Sequence, residues 1–313
     1  MSTDSVRFPP FAALTLASAF WGIATVISKA LLTSIPPMLF LIVQLVPSVC
    51  VLWALVLANG SYPKTWRGLL PLALLGLLNP GLSYTFSMLG LARTTASVAT
   101  LLWAAEPAVI VMGAWLLLKE HVTPRFVLAI AAAAIGVTLV SGGGNGAMIV
   151  GQSTYGSGLI LAGVLCCALY TVVSRRIAQS IEPLSTVAIQ QTVGLVWAIG
   201  VWLLQQRRVD FHVIASLTST ELSGAALSGL MYYAAAFWLY LNALRSVPAT
   251  TASIFLNLTP IFGVATAYVF LDERLSLSQC AGAAIILVSV LLLLIWAGRR
   301  GPLSQQTERF AGG

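Results

Sequence analysis

Thr25-Val26-Ile27-Ser28-Lys29 closes the first long apolar run of the chain, and Thr171-Val172-Val173-Ser174-Arg175 closes another 146 residues later. Each stretch sets two hydroxyls and one cation into an aliphatic background, in the same order. The match continues outward: Ser34-Ile35 followed by Pro37 returns as Ser180-Ile181 followed by Pro183, and Gln44 returns as Gln190. Further along, the offset becomes 153, pairing Ala96 with Ala249, Pro107 with Pro260 and Glu120 with Glu273. The change of seven residues fits a loop-length difference before the fourth apolar segment. Apolar residues coincide easily in such a chain, so the coincidences of Gln, Pro, Glu and basic residues are the informative ones.

Of the 313 residues 58% are hydrophobic and 8% charged, and the mean hydropathy is +0.94. A soluble domain carries about a quarter charged residues, so this chain lacks the polar surface that water demands. Covering the hydrocarbon core takes about 20 mostly apolar residues per helix. Cutting at Gly, Pro and charge clusters gives ten such segments: 11–32, 38–58, 69–91, 96–118, 126–141, 156–178, 184–204, 222–244, 249–271 and 277–296. The expected fold is an all-α membrane protein of ten transmembrane helices in two five-helix repeats. Residues 11–141 form the first, the Gly-rich 142–155 a linker, 156–297 the second, and 298–313 a cytoplasmic tail. The first apolar run lacks a clear small-residue cleavage site and reads as a retained helix.

A five-span unit has an odd number of crossings, so two in tandem insert upside down to one another. With both termini in the cytoplasm, eleven Lys and Arg fall inside and five outside, the latter being Lys29, Arg93, Arg207, Arg208 and Arg274. This satisfies the positive-inside rule and accounts for the net charge of +7 without nucleic acid, for which no basic cluster interleaved with aromatics exists. Inverted repeats are a device of secondary transporters, whose two halves exchange inward-open and outward-open shapes about a central site.

Phe20-Trp21-Gly22 followed by Ser28-Lys29 resembles the first helix of the EamA-like branch of the drug/metabolite transporter superfamily. Pro107 to Lys119-Glu120 and Pro260 to Asp272-Glu273-Arg274 resemble the end of the fourth helix in each EamA repeat. The resemblance covers residues 11 to 296 and looks closest to the bacterial YddG-type amino acid exporters. It implies a multi-pass protein of the bacterial inner membrane that exports amino acids or related metabolites. Multidrug export, export of another metabolite, and nucleotide-sugar or sugar-phosphate antiport are the alternatives.

Polar side chains at mid-depth are costly and face a cavity or one another. Taking the middle of each segment as the midplane, the candidate substrate contacts are Trp21, Asn79, Ser83, Tyr84, Thr100, Trp103, Tyr170, Tyr232, Tyr233, Ser253 and Asn257. Asn79 and Ser83 are four apart, as are Ser253 and Asn257, so each pair shares a helix face. Pro80, Pro107 and Pro260 are the expected kinks, the last two at equivalent positions. An aromatic wall with amides and hydroxyls suits a neutral or zwitterionic solute with an apolar side chain. A phosphorylated sugar calls for Arg or Lys at mid-depth, and none is there.

Each of these residues has a packing alternative, and interhelical hydrogen bonding is the stronger reading for Gln44 and Gln190. Glu106 is the only acidic residue deep in a segment. It reads as a proton-coupling site, as an anchor for a substrate amine, or as a paired carboxyl at the Pro107 kink. Lys29, Arg175, Lys119, Glu120, Asp272 and Glu273 read as interfacial, and Trp66, Trp115, Trp202 and Trp296 as belt aromatics.

The rival classes are poorer fits. An intramembrane enzyme lacks its groups: His121 and His212 fall in loops, no HExxH is present, and no catalytic residues gather at one depth. A channel would carry a selectivity filter or charge rings. The four cysteines (Cys50, Cys166, Cys167, Cys280) lie in apolar segments without ligand spacing and read as packing. No metal or cofactor is expected. The expected partners are a small-molecule substrate, the lipid bilayer and protons.

Overall fold

Pro9-Pro10 and Pro36-Pro37 each start a helix, because proline at the first helical position gives up an amide that would have no partner there. They open α1 (Pro10–Leu31) and α2 (Pro37–Asn59) in the computed structural model, which describes residues 9–60, 69–118, 124–142, 147–177, 183–205, 217–244 and 255–298. α2 ends on Gly60 in the left-handed region (φ 63°), the usual glycine stop. There follow α3 (Leu69–Gly76), a π-helical segment (Leu77–Leu82) and α4 (Ser83–Leu91), continuous in the chain but kinked at Asn79. After them come α5 (Ala96–Trp103), α6 (Glu106–Leu118), α7 (Pro124–Gly142), α8 (Ala147–Ile177) and α9 (Pro183–Gln205). The last group is α10 (Ser219–Gly229), a second π-helical segment (Leu230–Ala235), α11 (Ala236–Leu244), α12 (Leu258–Phe270) and α13 (Leu277–Gly298).

Among the described residues every element is helical, and six helices are long and apolar enough to cross a membrane. Four further apolar helices are shorter: Ala96–Ile110, Val127–Val140, Leu258–Phe270 and Leu277–Leu292. Large apolar side chains face outward, with Leu204 and Leu277 each 89% exposed, a surface that suits lipid rather than water.

The elements recur. α9 is described over residues that lie 146 beyond α2. The two π-helical segments are offset by 153 at both ends, and α4 and α11 begin at the same offset. The offset has therefore already changed by the third apolar segment. Packing follows the same pairing: α2 lies against α9 and α7 against α13, while α4 against α8 is mirrored by α1 against α11. Small residues allow the closest crossings. A Cβ on Gly22 of α1 would come within 2.7 Å of the Gly263 nitrogen on α12, and one on Gly136 of α7 within 2.8 Å of the Gly282 oxygen on α13.

Three details depart from the sequence reading. α8 opens at Ala147, so most of the expected linker is helical. Trp202, expected in an interfacial belt, is 8% exposed and belongs to the core. The chain leaves the helical path not at Pro107 and Pro260 but just before them, at Ala104–Ala105 and at Asn257. A proline denies an amide to the carbonyl four residues back and clashes with it, so the distortion falls upstream. Ala104 and Ala105 take tight bonds to Leu101 and Leu102 oxygens, and each proline then sits in the first turn of a new helix.

Candidate substrate site

The two π-helical segments put carbonyls and side chains where a regular helix could not. In the second, the Ala236 amide donates to the Met231 oxygen, five residues back, which releases the Tyr232 carbonyl from the ladder. That carbonyl accepts from Trp21 Nε1 of α1 at 3.1 Å. In the first, Asn79 leaves helical geometry (φ −143°, ψ 113°) and the Ser83 amide reaches back to the Leu78 oxygen. Asn79 Nδ2 contacts Cys167 Sγ of α8 at 3.4 Å. By the two offsets Trp21 pairs with Cys167 and Asn79 with Tyr232, so these are equivalent contacts with different chemistry. π-segments of this kind concentrate at functional sites.

Around each contact the surroundings differ. Trp21 is edge-on to Phe237 (5.3 Å between centroids) and Tyr240 (5.8 Å), an aromatic pole. Cys167 lies beside the Glu106 carboxyl, and one turn on Tyr170 donates to Gln190 Oε1 at 3.0 Å, a polar pole. Glu106 opens α6 and is half-buried, beside Pro107 in the first turn. It lies close enough to Tyr232 and Tyr240 to interact with both.

Between the poles Tyr84, Tyr232 and Tyr233 form a ring cluster, with centroids 4.7 Å apart from Tyr84 to Tyr233 and from Tyr232 to Tyr233. With Trp103, Ser87 and Thr25 they line a cavity of about 30 Å³. That is room for a water or two.

A family model described as the EamA-like transporter family matches the chain twice, over residues 10–142 and 154–295. The chain belongs to that family. Transporter YvbV of Bacillus subtilis, named as uncharacterized, is 26% identical over 286 residues, 87% of each chain. A WAT1-related chloroplastic protein of Arabidopsis thaliana is 22% identical over 88% of this chain and 66% of its own length. A solved crystal structure shares the fold, with a TM-score of 0.63 at 17% identity, covering 93% of this chain and 99% of that one. Membership makes this a multi-pass membrane transporter and stands against an enzyme.

Within this EamA-like chain the expected site residues separate into groups. Tyr84, Trp103, Tyr232 and Tyr233 line the cavity, and Trp21, Asn79, Tyr170 and Glu106 make up the two poles. Ser83 does not reach the cavity: it is fully buried and donates to the Gly163 oxygen at 2.9 Å, a bond between α4 and α8. Thr100 is 2% exposed, bonds the Ala96 and Ser97 oxygens, and packs where α5 meets Gly263. Asn257 sits half-buried at the break before α12. Pro80 lies in the first π-helical segment, against Gly194 of α9. Ser253, Trp66 and the tail beyond Gly298 lie outside the described residues.

Three residues were missed. Ser87 lines the cavity and its buried hydroxyl has no partner among the described residues; it lies one turn beyond Ser83 and Tyr84, a spacing that could have exposed it. Thr25 lines it from α1, one turn beyond Trp21. Cys167, read as packing, touches Asn79 and Glu106, and its offset relation to Trp21 was the available signal. Gln44 behaves as expected of an interhelical linker, with Nε2 donating to Ser28 Oγ at 2.9 Å and Ser228 Oγ at 2.8 Å.

Proposed function

We propose that the protein is a secondary active transporter that exports amino acids, or similar small zwitterionic or neutral metabolites, by alternating access. Its ten spans form two inverted five-helix repeats in a bacterial inner membrane, with both termini in the cytoplasm. The observation that carries this reading is the recurrence of the π-helical segments and of the helix breaks at an offset of 153 residues, beside a cavity lined from both matched segments. Two such halves can rock about the point they share. The double match of the family model supports the same division.

The substrate class follows from the two poles. Both poles reach Tyr232, which lines the cavity: the polar one through Glu106 and Cys167, the aromatic one through Trp21. A solute with an ammonium head and an apolar side chain suits that arrangement, its head toward Glu106, which also serves to carry a proton through the cycle. The resemblance to YddG-type exporters agrees with it. The test is counterflow in proteoliposomes loaded with unlabelled aromatic and aliphatic amino acids. Saturable exchange of labelled phenylalanine or leucine is expected. Non-saturating flux would indicate a channel, and exchange confined to solutes without an amine would reject the substrate class.

A further inference from the structure

After α12 the chain turns at Asp272, which is left-handed (φ 53°), a conformation Asp tolerates better than most residues. The Glu273 amide closes back on the Ala267 oxygen at 3.2 Å, and the side chain is thrown across to α5 in the other matched segment. Its two oxygens accept from the Ala96 and Ser97 amides, both at 2.9 Å. These are the first two amides of α5, and Thr95 Oγ1 takes the third, from Val98. A helix start without partners needs such acceptors, and a carboxylate is the strongest. Beside it Lys29 Nζ donates to the Leu91 oxygen at 3.0 Å and is attracted by Glu273. Both side chains are half-buried, so Lys29 turns inward rather than out to headgroups.

This cluster roofs the cavity. Leu91, which takes the Lys29 bond, is a cavity-lining residue; so are Ser28, next to Lys29, and Ala99, one turn below Ala96. We propose that Glu273 and Lys29 form the outer gate of the substrate cavity, a reading that rests on the transporter assignment above. Opening the outer face requires the turn between α12 and α13 to part from α5. The carboxylate, the lysine and the two amides are then hydrated, so the contact breaks and reforms without leaving a polar group stranded.

The experiment is thiol labelling at Ser87→Cys, read at that residue by peptide mass spectrometry, with a membrane-impermeant maleimide on right-side-out vesicles. Glu273→Gln loses the charge and one acceptor, and Lys29→Met loses the donor. Each is expected to raise labelling of residue 87 about tenfold over the Ser87→Cys parent, the shift that 1.4 kcal/mol produces. Labelling unchanged in both variants, with each present in the membrane at parental level, overturns the gate. The two readings fail separately: unchanged labelling with intact amino acid counterflow removes the gate alone. Raised labelling in the variants, with no counterflow of any amino acid by the unsubstituted chain, removes the substrate reading and keeps the gate.

Discussion

Glu106 shows what a single residue can reveal and what it leaves open. Its depth was legible, because one acidic residue stands alone in an apolar segment. Its neighbours were not: Cys167 reads in sequence as one more apolar position, and nothing local says that it meets a carboxyl from another helix. If Glu106 carries the coupling proton, Glu106→Gln abolishes the stimulation of flux by a pH gradient in proteoliposomes while leaving some exchange; unchanged gradient dependence rejects coupling through it. Tyr233 is 2% exposed and central to the ring cluster, and Tyr233→Ala should weaken substrate binding at least tenfold, measured by calorimetry on purified protein. Ser83 shows the limit of helical spacing. Helical spacing placed it correctly beside Tyr84 and Asn79, but spacing does not tell a cavity from a neighbouring helix, and Gly163 brings α8 close enough to take its hydroxyl. For Gln44, which ties α1 and α2 to Ser228 near the end of α10, Gln44→Ala should cost about 1 kcal/mol in reversible unfolding in lipid, within the ceiling of about 1.7 for such bonds.

At the scale of elements, the long apolar runs placed most of the described helices, and proline starts and the Gly60 stop account for the ends of α1 and α2, but α8 is already helical at Ala147 rather than from 156. The π-helical segments were only half legible. Pro80 marks the first, but Leu230–Ala235 contains no proline; its departure is seen only in the structure, where the Tyr232 carbonyl accepts from Trp21. Tertiary partners decide such local geometry. Close helix crossings were equally hidden, since a glycine in an apolar segment gives no sign of what it faces. Gly22→Leu would drive a side chain into the backbone of α12 at Thr259 and Gly263. It should abolish transport and lower the yield of folded protein in size-exclusion chromatography, whereas Gly158→Leu, with open space around it, should leave both near the parental level.

At the scale of the whole molecule, the rare residues in Thr25 through Lys29 and their counterparts 146 residues on led to the expectation of two repeats, and the family model matches the chain twice. What the repeat could not foretell is how its halves diverged: equivalent positions hold Trp21 and Cys167, or Asn79 and Tyr232, and that divergence makes one pole aromatic and the other polar. The account stands on the halves lying upside down to one another in the bilayer. Ala30 and Arg176 are equivalent by the 146-residue offset, and an inverted pair must open to opposite compartments. With Ala30→Cys and Arg176→Cys made separately, an impermeant maleimide should label residue 30 in intact right-side-out vesicles and residue 176 only after permeabilisation. Labelling of both from the same side would contradict the inversion and the alternating-access mechanism built on it.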